Sequence, residues 1–162
     1  MKKLLLPILC FVSFNCIIHA QVVSLPSEGW SLNLGKEFPG ATGSLAYAPV
    51  TGPTGEIAYR LQGSFLQGGA YVSAGLGNLD LVLTSITFQV RASGLPAIAV
   101  RLTDGSGQIH QINRIDLEKV AGWQTVTLRL DHLNAFAWGG ANNGIFRGPL
   151  GQNPGHNVSV PG

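Results

Sequence analysis

Four short segments of this chain place apolar side chains at every second position. That spacing restricts them to β-strands with one buried and one solvated face. In Gly55 to Gln62, Ile57, Tyr59 and Leu61 point one way, while Glu56, Ala58, Arg60 and Gln62 point the other. In Thr84 to Arg91, Ile86, Phe88 and Val90 alternate with Ser85, Thr87, Gln89 and Arg91. Ala97 to Thr103 turns Ile98, Val100 and Leu102 inward and Arg101 outward. Gln124 to Leu130 sets Val126, Leu128 and Leu130 against Thr125, Thr127 and Arg129.

The breaks between these segments carry turn chemistry. Asp104-Gly105-Ser106-Gly107 supplies residues that tolerate positive φ and predicts a hairpin after the Ala97 strand. Ser93-Gly94-Leu95-Pro96 and Ala121-Gly122 punctuate other ends. Shorter strands are expected around Trp30 to Leu34, Ser44 to Ala48 and Ala70 to Ala74. Ile109, Ile112 and Ile115 lie three apart, a spacing that fits a bulged strand or a helical turn; the bulged strand is preferred. The one candidate helix is a turn at Leu117 to Val120. After His132 the alternation stops: Trp138 to Gly144 reads as a loop, and Gly148 to Gly162 holds at most a short strand at Asn157 to Val160.

Composition agrees with an all-β chain of short strands and tight connections. It holds 22 Gly and 9 Pro, and only 11% of its residues are charged. Residues 1–20 read as a secretory signal peptide: Lys2 and Lys3 precede an apolar stretch from Leu4 to Ile18, and Ala20 stands before the expected cleavage point. The stretch is short and broken by Pro7, Ser13 and Asn15, which fits a cleaved signal better than a retained anchor. Lipid attachment at Cys16 is the other option, but Ser13-Phe14-Asn15 lacks the small residues that such a site wants. Export to the periplasm or the medium is therefore expected.

Cleavage would remove both cysteines, Cys10 and Cys16, and with them any disulfide or thiolate chemistry. Without Lys2 and Lys3, eight basic residues balance eight acidic ones. A near-neutral chain with no basic cluster is a poor match for nucleic acid or an anionic membrane.

The run Ile86 to Val90, then Ala97 to Asp104 with Gly107-Gln108, then Gly122-Trp123-Gln124-Thr125-Val126, resembles the galactose-binding-domain-like jelly rolls. In that group a strand like FQVRASG precedes one like VRLTDGSGQ, and a GWQTVTLRL strand follows a short loop. The likeness covers roughly Trp30 to Pro149. It implies a β-sandwich jelly roll over residues 21–150, with residues 151–162 a Gly/Pro-rich tail or truncated linker. It further implies a non-catalytic carbohydrate-binding module of a secreted polysaccharide-degrading system, taking a polysaccharide or oligosaccharide and accompanying a glycoside hydrolase. A structural calcium ion is compatible with such modules; the oxygen donors at hand are Glu28, Glu37 and Asp131, and no loop has the donor density of an EF-hand.

Sugar-binding sites stack an aromatic face on the apolar side of a pyranose and hydrogen-bond its hydroxyls. Trp138, Asn142, Asn143 and Arg147 bring those residue types together in one loop, and Arg101 adds an outward guanidinium. Trp138 reads equally as a plug closing one end of a sandwich. Arg60, Arg91, Arg101 and Arg129 read either as a glycan-gripping sheet or as a solvated face that blocks edge pairing. Trp30 reads as a core or edge aromatic, Trp123 as structural, and Tyr59 and Tyr71 as core side chains.

Catalytic readings are weaker. Asp104, Asp116, Glu118 and Asp131 are the carboxylates from which a glycosidase pair would be drawn, yet acids at turns and strand ends are ordinary. Gly105-Ser106-Gly107 lacks the spacing of a nucleophile elbow. His110, His132 and His156 have no zinc-ligand spacing. The rivals to sugar binding are a structural or interaction domain that only braces a glycoside hydrolase partner, and a fragment of a longer glycoside hydrolase.

Overall fold

The computed structural model describes residues 29–51, 57–77, 79, 81–118, 122–148 and 156–161. The expected signal peptide, Glu28 and the whole segment 149–155 lie outside them, as does half of the turn expected at Leu117 to Val120. Ten strands are described: β1 (Trp30–Asn33), β2 (Thr42–Thr51), β3 (Ile57–Ser64), β4 (Tyr71–Leu76), β5 (Ser85–Val90), β6 (Ala97–Thr103), β7 (Ile109–Asp116), β8 (Gln124–Arg129), β9 (Phe136–Trp138) and β10 (His156–Pro161). Among the described residues the helical content is one 3₁₀ turn, Leu130–His132. No described helix is long and apolar enough to cross a membrane.

A six-stranded antiparallel sheet in the order β1-β4-β10-β6-β7-β9 forms one layer. Two antiparallel pairs, β2–β3 and β5–β8, form separate two-stranded sheets. Alternation sends Leu76 from β4 and Val100 and Leu102 from β6 to the inner face, where they cluster with Leu79, Leu128 and Leu130. Ile86, Phe88 and Val126 of the β5–β8 pair pack on the same cluster. Each fully buried leucine contributes about 2 kcal/mol. The β2–β3 pair closes on another part of that face: Cβ atoms built on Gly43 and Gly63 would come within 3.1 Å of Val72, and Tyr59 of β3 stacks against Trp30 of β1 at 5.6 Å. The fold is all-β and sandwich-like, with its second layer in two pieces.

The isoleucine spacing resolves as a bulge. Ile98 pairs with Ile115, but Val100 pairs with Ile112, so β7 spends one extra residue over that interval. The insertion turns Ile112 and Ile115 to the same side, and both pack on the core. Strict alternation would have sent one of them to solvent.

Two strands follow His132, where at most one short strand was expected. β9 gives the Trp138 segment an extended start, paired with β7. The segment expected to be at most a short strand in a tail is β10, which hydrogen-bonds to β4 on one side and β6 on the other. The sheet therefore extends beyond residue 150. The central strands also bury their second face: Ser73, Ala97, Ala99 and Thr103 are 8% exposed or less.

Candidate functional site

The outer face of the six-stranded sheet is set by register. Arg101, Gln111 and Phe136 are direct neighbours across β6, β7 and β9, and the next row is Thr103, Ile109 and Trp138. Facing residues of antiparallel strands project to the same side, and diagonal neighbours lie within reach of long side chains. Accordingly, the Arg101 guanidinium lies over the Trp138 ring, 5.4 Å from its centroid. Phe136 tilts against Trp138 at 5.5 Å and is 67% exposed. Arg101 donates from Nε and Nη2 to Gln111 Oε1, at 2.8 and 2.6 Å, and Gln111 Nε2 donates to Asn113 Oδ1 at 2.6 Å. The result is an aromatic pair at the sheet edge beside a row of hydrogen-bonding side chains.

Farther across the same face, the Tyr71 hydroxyl donates to the Glu37 carboxylate. That bond holds the Glu37 carboxyl below its usual range. Burial, reinforced by the Glu37 charge, pushes the Tyr71 phenol up. Tyr71 is thus a half-buried face residue with a polar partner rather than a core side chain.

Of the five residues read as ligand-binding, Trp138 and Arg101 meet. Trp138 sits on a strand rather than in a loop, half-buried. The other three belong to the segment that returns over the β6–β7 hairpin. Asn142 adopts φ +47 and its N–H bonds Gly139 O at 2.9 Å. Asn143 uses its side chain to accept from Ile145 N at 2.9 Å. Arg147 contributes backbone: its N–H donates to Asp104 Oδ2 at 3.0 Å, and its carbonyl accepts from Gly105 N at 2.8 Å.

That anchorage reveals a buried polar cluster which the sequence reading passed over. Asp104, Gln108 and His110 are each 1% exposed or less. Asp104 Oδ1 accepts from Ser106 N, Ser106 Oγ and Gln108 N at 2.9, 2.7 and 3.0 Å. Gln108 Oε1 accepts from Asn143 N at 2.7 Å and Gly144 N at 3.3 Å, while its Nε2 donates to Ile145 O at 3.2 Å. These three backbone contacts fix the amide orientation. His110 Nε2 lies 3.0 Å from Gln108 Nε2 and 3.3 Å from Asp104 Oδ2. One ring nitrogen cannot accept from the first and donate to the second, so the tautomer decides which it joins. The cluster is a latch that ties the loop after β9 to the hairpin before β7. Part of its signal was present: Asp104 continues the inward series Ile98, Val100 and Leu102, where an apolar residue is the rule.

The latch predicts acid sensitivity. Burial pushes the Asp104 carboxyl up, but hydrogen bonds from the Ser106 hydroxyl, Arg147 N–H and His110 outweigh it and hold the group below its ordinary value. A carboxyl depressed in the folded state contributes stability above its unfolded value of about 3.9, and that contribution fades as pH falls through the folded value. Urea midpoints of the wild type and Asp104→Asn should therefore differ at neutral pH and converge below about pH 4. A constant gap across the range would deny Asp104 this role.

The remaining assignments are dispersed. Arg60, Arg101 and Arg129 stand on three different sheets and Arg91 follows the end of β5, so they form no common face. Arg91 lies over the Trp123 ring at 5.2 Å, and Arg129 pairs with Asp131 at 2.7 Å. The carboxylates weighed for catalysis serve local contacts: Asp104 the latch, Asp116 Arg114, and Asp131 Arg129 and His132. The Glu118 backbone N–H is engaged with the Gln124 side chain. Two of the calcium candidates, Glu37 and Asp131, are engaged with Tyr71 and Arg129. Among the described residues no three His, Cys, Asp or Glu side chains gather into a metal-binding group. In comparisons with protein-family models, curated proteins and solved structures, nothing matches this chain.

Proposed function

We propose that the protein is a non-catalytic carbohydrate-binding module, a galactose-binding-domain-like jelly roll. It is exported to the periplasm or the medium and serves as an accessory to a polysaccharide-degrading glycoside hydrolase. The observation that carries this reading is the outer-face edge, where Phe136 and Trp138 lie beside Arg101, Gln111 and Asn113. An exposed ring flanked by pre-positioned donors and acceptors matches what a pyranose presents, an apolar C–H face rimmed by hydroxyls. β9 is the edge strand of its sheet and Phe136 stands exposed on it, which suits a chain passing along it. Such a module raises the local concentration of a linked or neighbouring enzyme on its polymer. The near balance of charge after signal removal supports a glycan over nucleic acid or a membrane surface.

The test is affinity electrophoresis of the purified protein through gels containing plant and algal polysaccharides, with Trp138→Ala run alongside. Retardation by one polymer is expected, and the variant should lose affinity by about tenfold or more, the scale of one well-packed aromatic anchor. A folded protein that migrates unretarded on every polymer would favour the bracing-domain reading instead.

A further inference from the structure

We infer that the polymer recognised at this face is acidic, with carboxylate or sulfate groups on its sugars that dock on Arg101. The inference rests on the carbohydrate-binding reading above and names the ligand class for the same site. Among the described residues, the arginine ion pairs join Arg114 to Asp116 and Arg129 to Asp131; Arg101 takes part in none. Its Nε and Nη2 converge on Gln111 Oε1, a neutral acceptor that orients the guanidinium without cancelling its charge. One side of the group rests on Trp138.

A guanidinium held by two bonds and a ring has already lost much of the freedom that docking would cost, and its planar fork suits carboxylate and sulfate oxygens. Glu37 acts on Arg101 through space. Its carboxylate, however, is engaged by the Tyr71 hydroxyl, so it moderates the field without occupying Arg101. A neutral sugar needs no uncompensated charge at this place. An anionic pyranose uses both parts of the site: its C–H face against Phe136 and its acid on Arg101.

The purified protein is run through gels containing polygalacturonate, a sulfated galactan or a neutral galactan, at low and raised salt. Arg101→Gln is compared with Arg60→Gln, which makes the same charge change on the β2–β3 sheet, and tryptophan fluorescence reports folding. Retardation is expected with an acidic polymer, weakening as salt rises; whether it is polygalacturonate or the sulfated galactan tells carboxylate from sulfate. Arg101→Gln should weaken it by about tenfold or more, the scale of a charge-assisted hydrogen bond, and Arg60→Gln should not. Equal losses in the two variants would overturn the assignment to Arg101. Salt-insensitive retardation by the neutral galactan, kept in Arg101→Gln, would overturn the acidic ligand and leave sugar binding standing. A natively fluorescent protein retarded by no polymer would overturn both.

Discussion

Replacing Asp104 with alanine should cost about 3–5 kcal/mol of folding stability and lower the melting temperature by on the order of 10 °C. The carboxylate is fully buried and accepts from two backbone N–H groups and a hydroxyl on one oxygen, and from the Arg147 N–H on the other. Alanine leaves those donors in the interior without acceptors. An orphaned buried donor costs about 1–3 kcal/mol, and the losses of neighbours in one network do not simply add. Asp104→Asn keeps one amide oxygen as an acceptor and should lose less. Differential scanning calorimetry of the three proteins checks the order. If Asp104→Ala melts within a degree or two of the wild type, the latch contributes little.

Gly140→Ala should destabilise by about 3 kcal/mol, combining left-handed backbone strain with overpacking. Gly140 has φ +48, and a Cβ there would stand 2.2 Å from Gln108 N and 2.6 Å from Gly107 C. Both neighbours are backbone, so no side chain can rotate away. The loop would have to lift, breaking the bonds from Ala141 N to Ser106 Oγ and from Asn143 N to Gln108 Oε1. Gly107→Ala separates the two effects, because that position also has positive φ, +80, but nothing within 4 Å of its Cβ. It should cost only the backbone part, about 1–2 kcal/mol. Urea denaturation of both variants measures the difference; equal losses would mean that the close approach at Gly140 is absorbed freely.

Both variants act on the support of the sheet edge rather than on the ring and guanidinium themselves. The loop leaves directly from Trp138, so a lifted loop releases one end of β9, a strand of three residues paired on one side. Under the proposed carbohydrate-binding function, loss of the latch should therefore weaken polysaccharide retardation as well as stability.

The strands legible in the sequence are those with one wet face. β3, β5 and β8 carry polar residues at every second position because one side of each meets solvent. β6 was legible for its inward Ile98, Val100 and Leu102, although its other face is buried by the small residues Ala97 and Ala99. β10 was legible as a short strand from Val158 and Val160, but two apolar positions gave no sign that it lies between β4 and β6. β9 is too short to show a period.

The site was legible as residue types and not as geometry. Trp138 and Arg101 stood out alone, but only the register of β6, β7 and β9 brings them together, and it brings Gln111 and Phe136 with them. Asn142, Asn143 and Arg147 drew attention for side chains suited to sugars. In the fold, the Asn143 and Arg147 backbone groups carry the long-range contacts with the latch. Local composition cannot reveal that exchange, because it depends on where a distant hairpin places its buried polar groups.

The position of β10 sets an order on assembly. During synthesis the chain supplies β1 and β4, then β6, β7 and β9, and only afterwards the strand that joins the two groups. Until residues 156–161 arrive, β4 and β6 each present an open row of amide and carbonyl groups, flanked by the apolar side chains of the future core. Such edges recruit other chains, and contacts between residues so far apart in sequence close slowly. The half-finished sheet thus exposes two inner edges that the complete sheet pairs. Delaying the collapse of β4 and β6 until residues 156–161 are available would keep those edges from meeting the wrong partner.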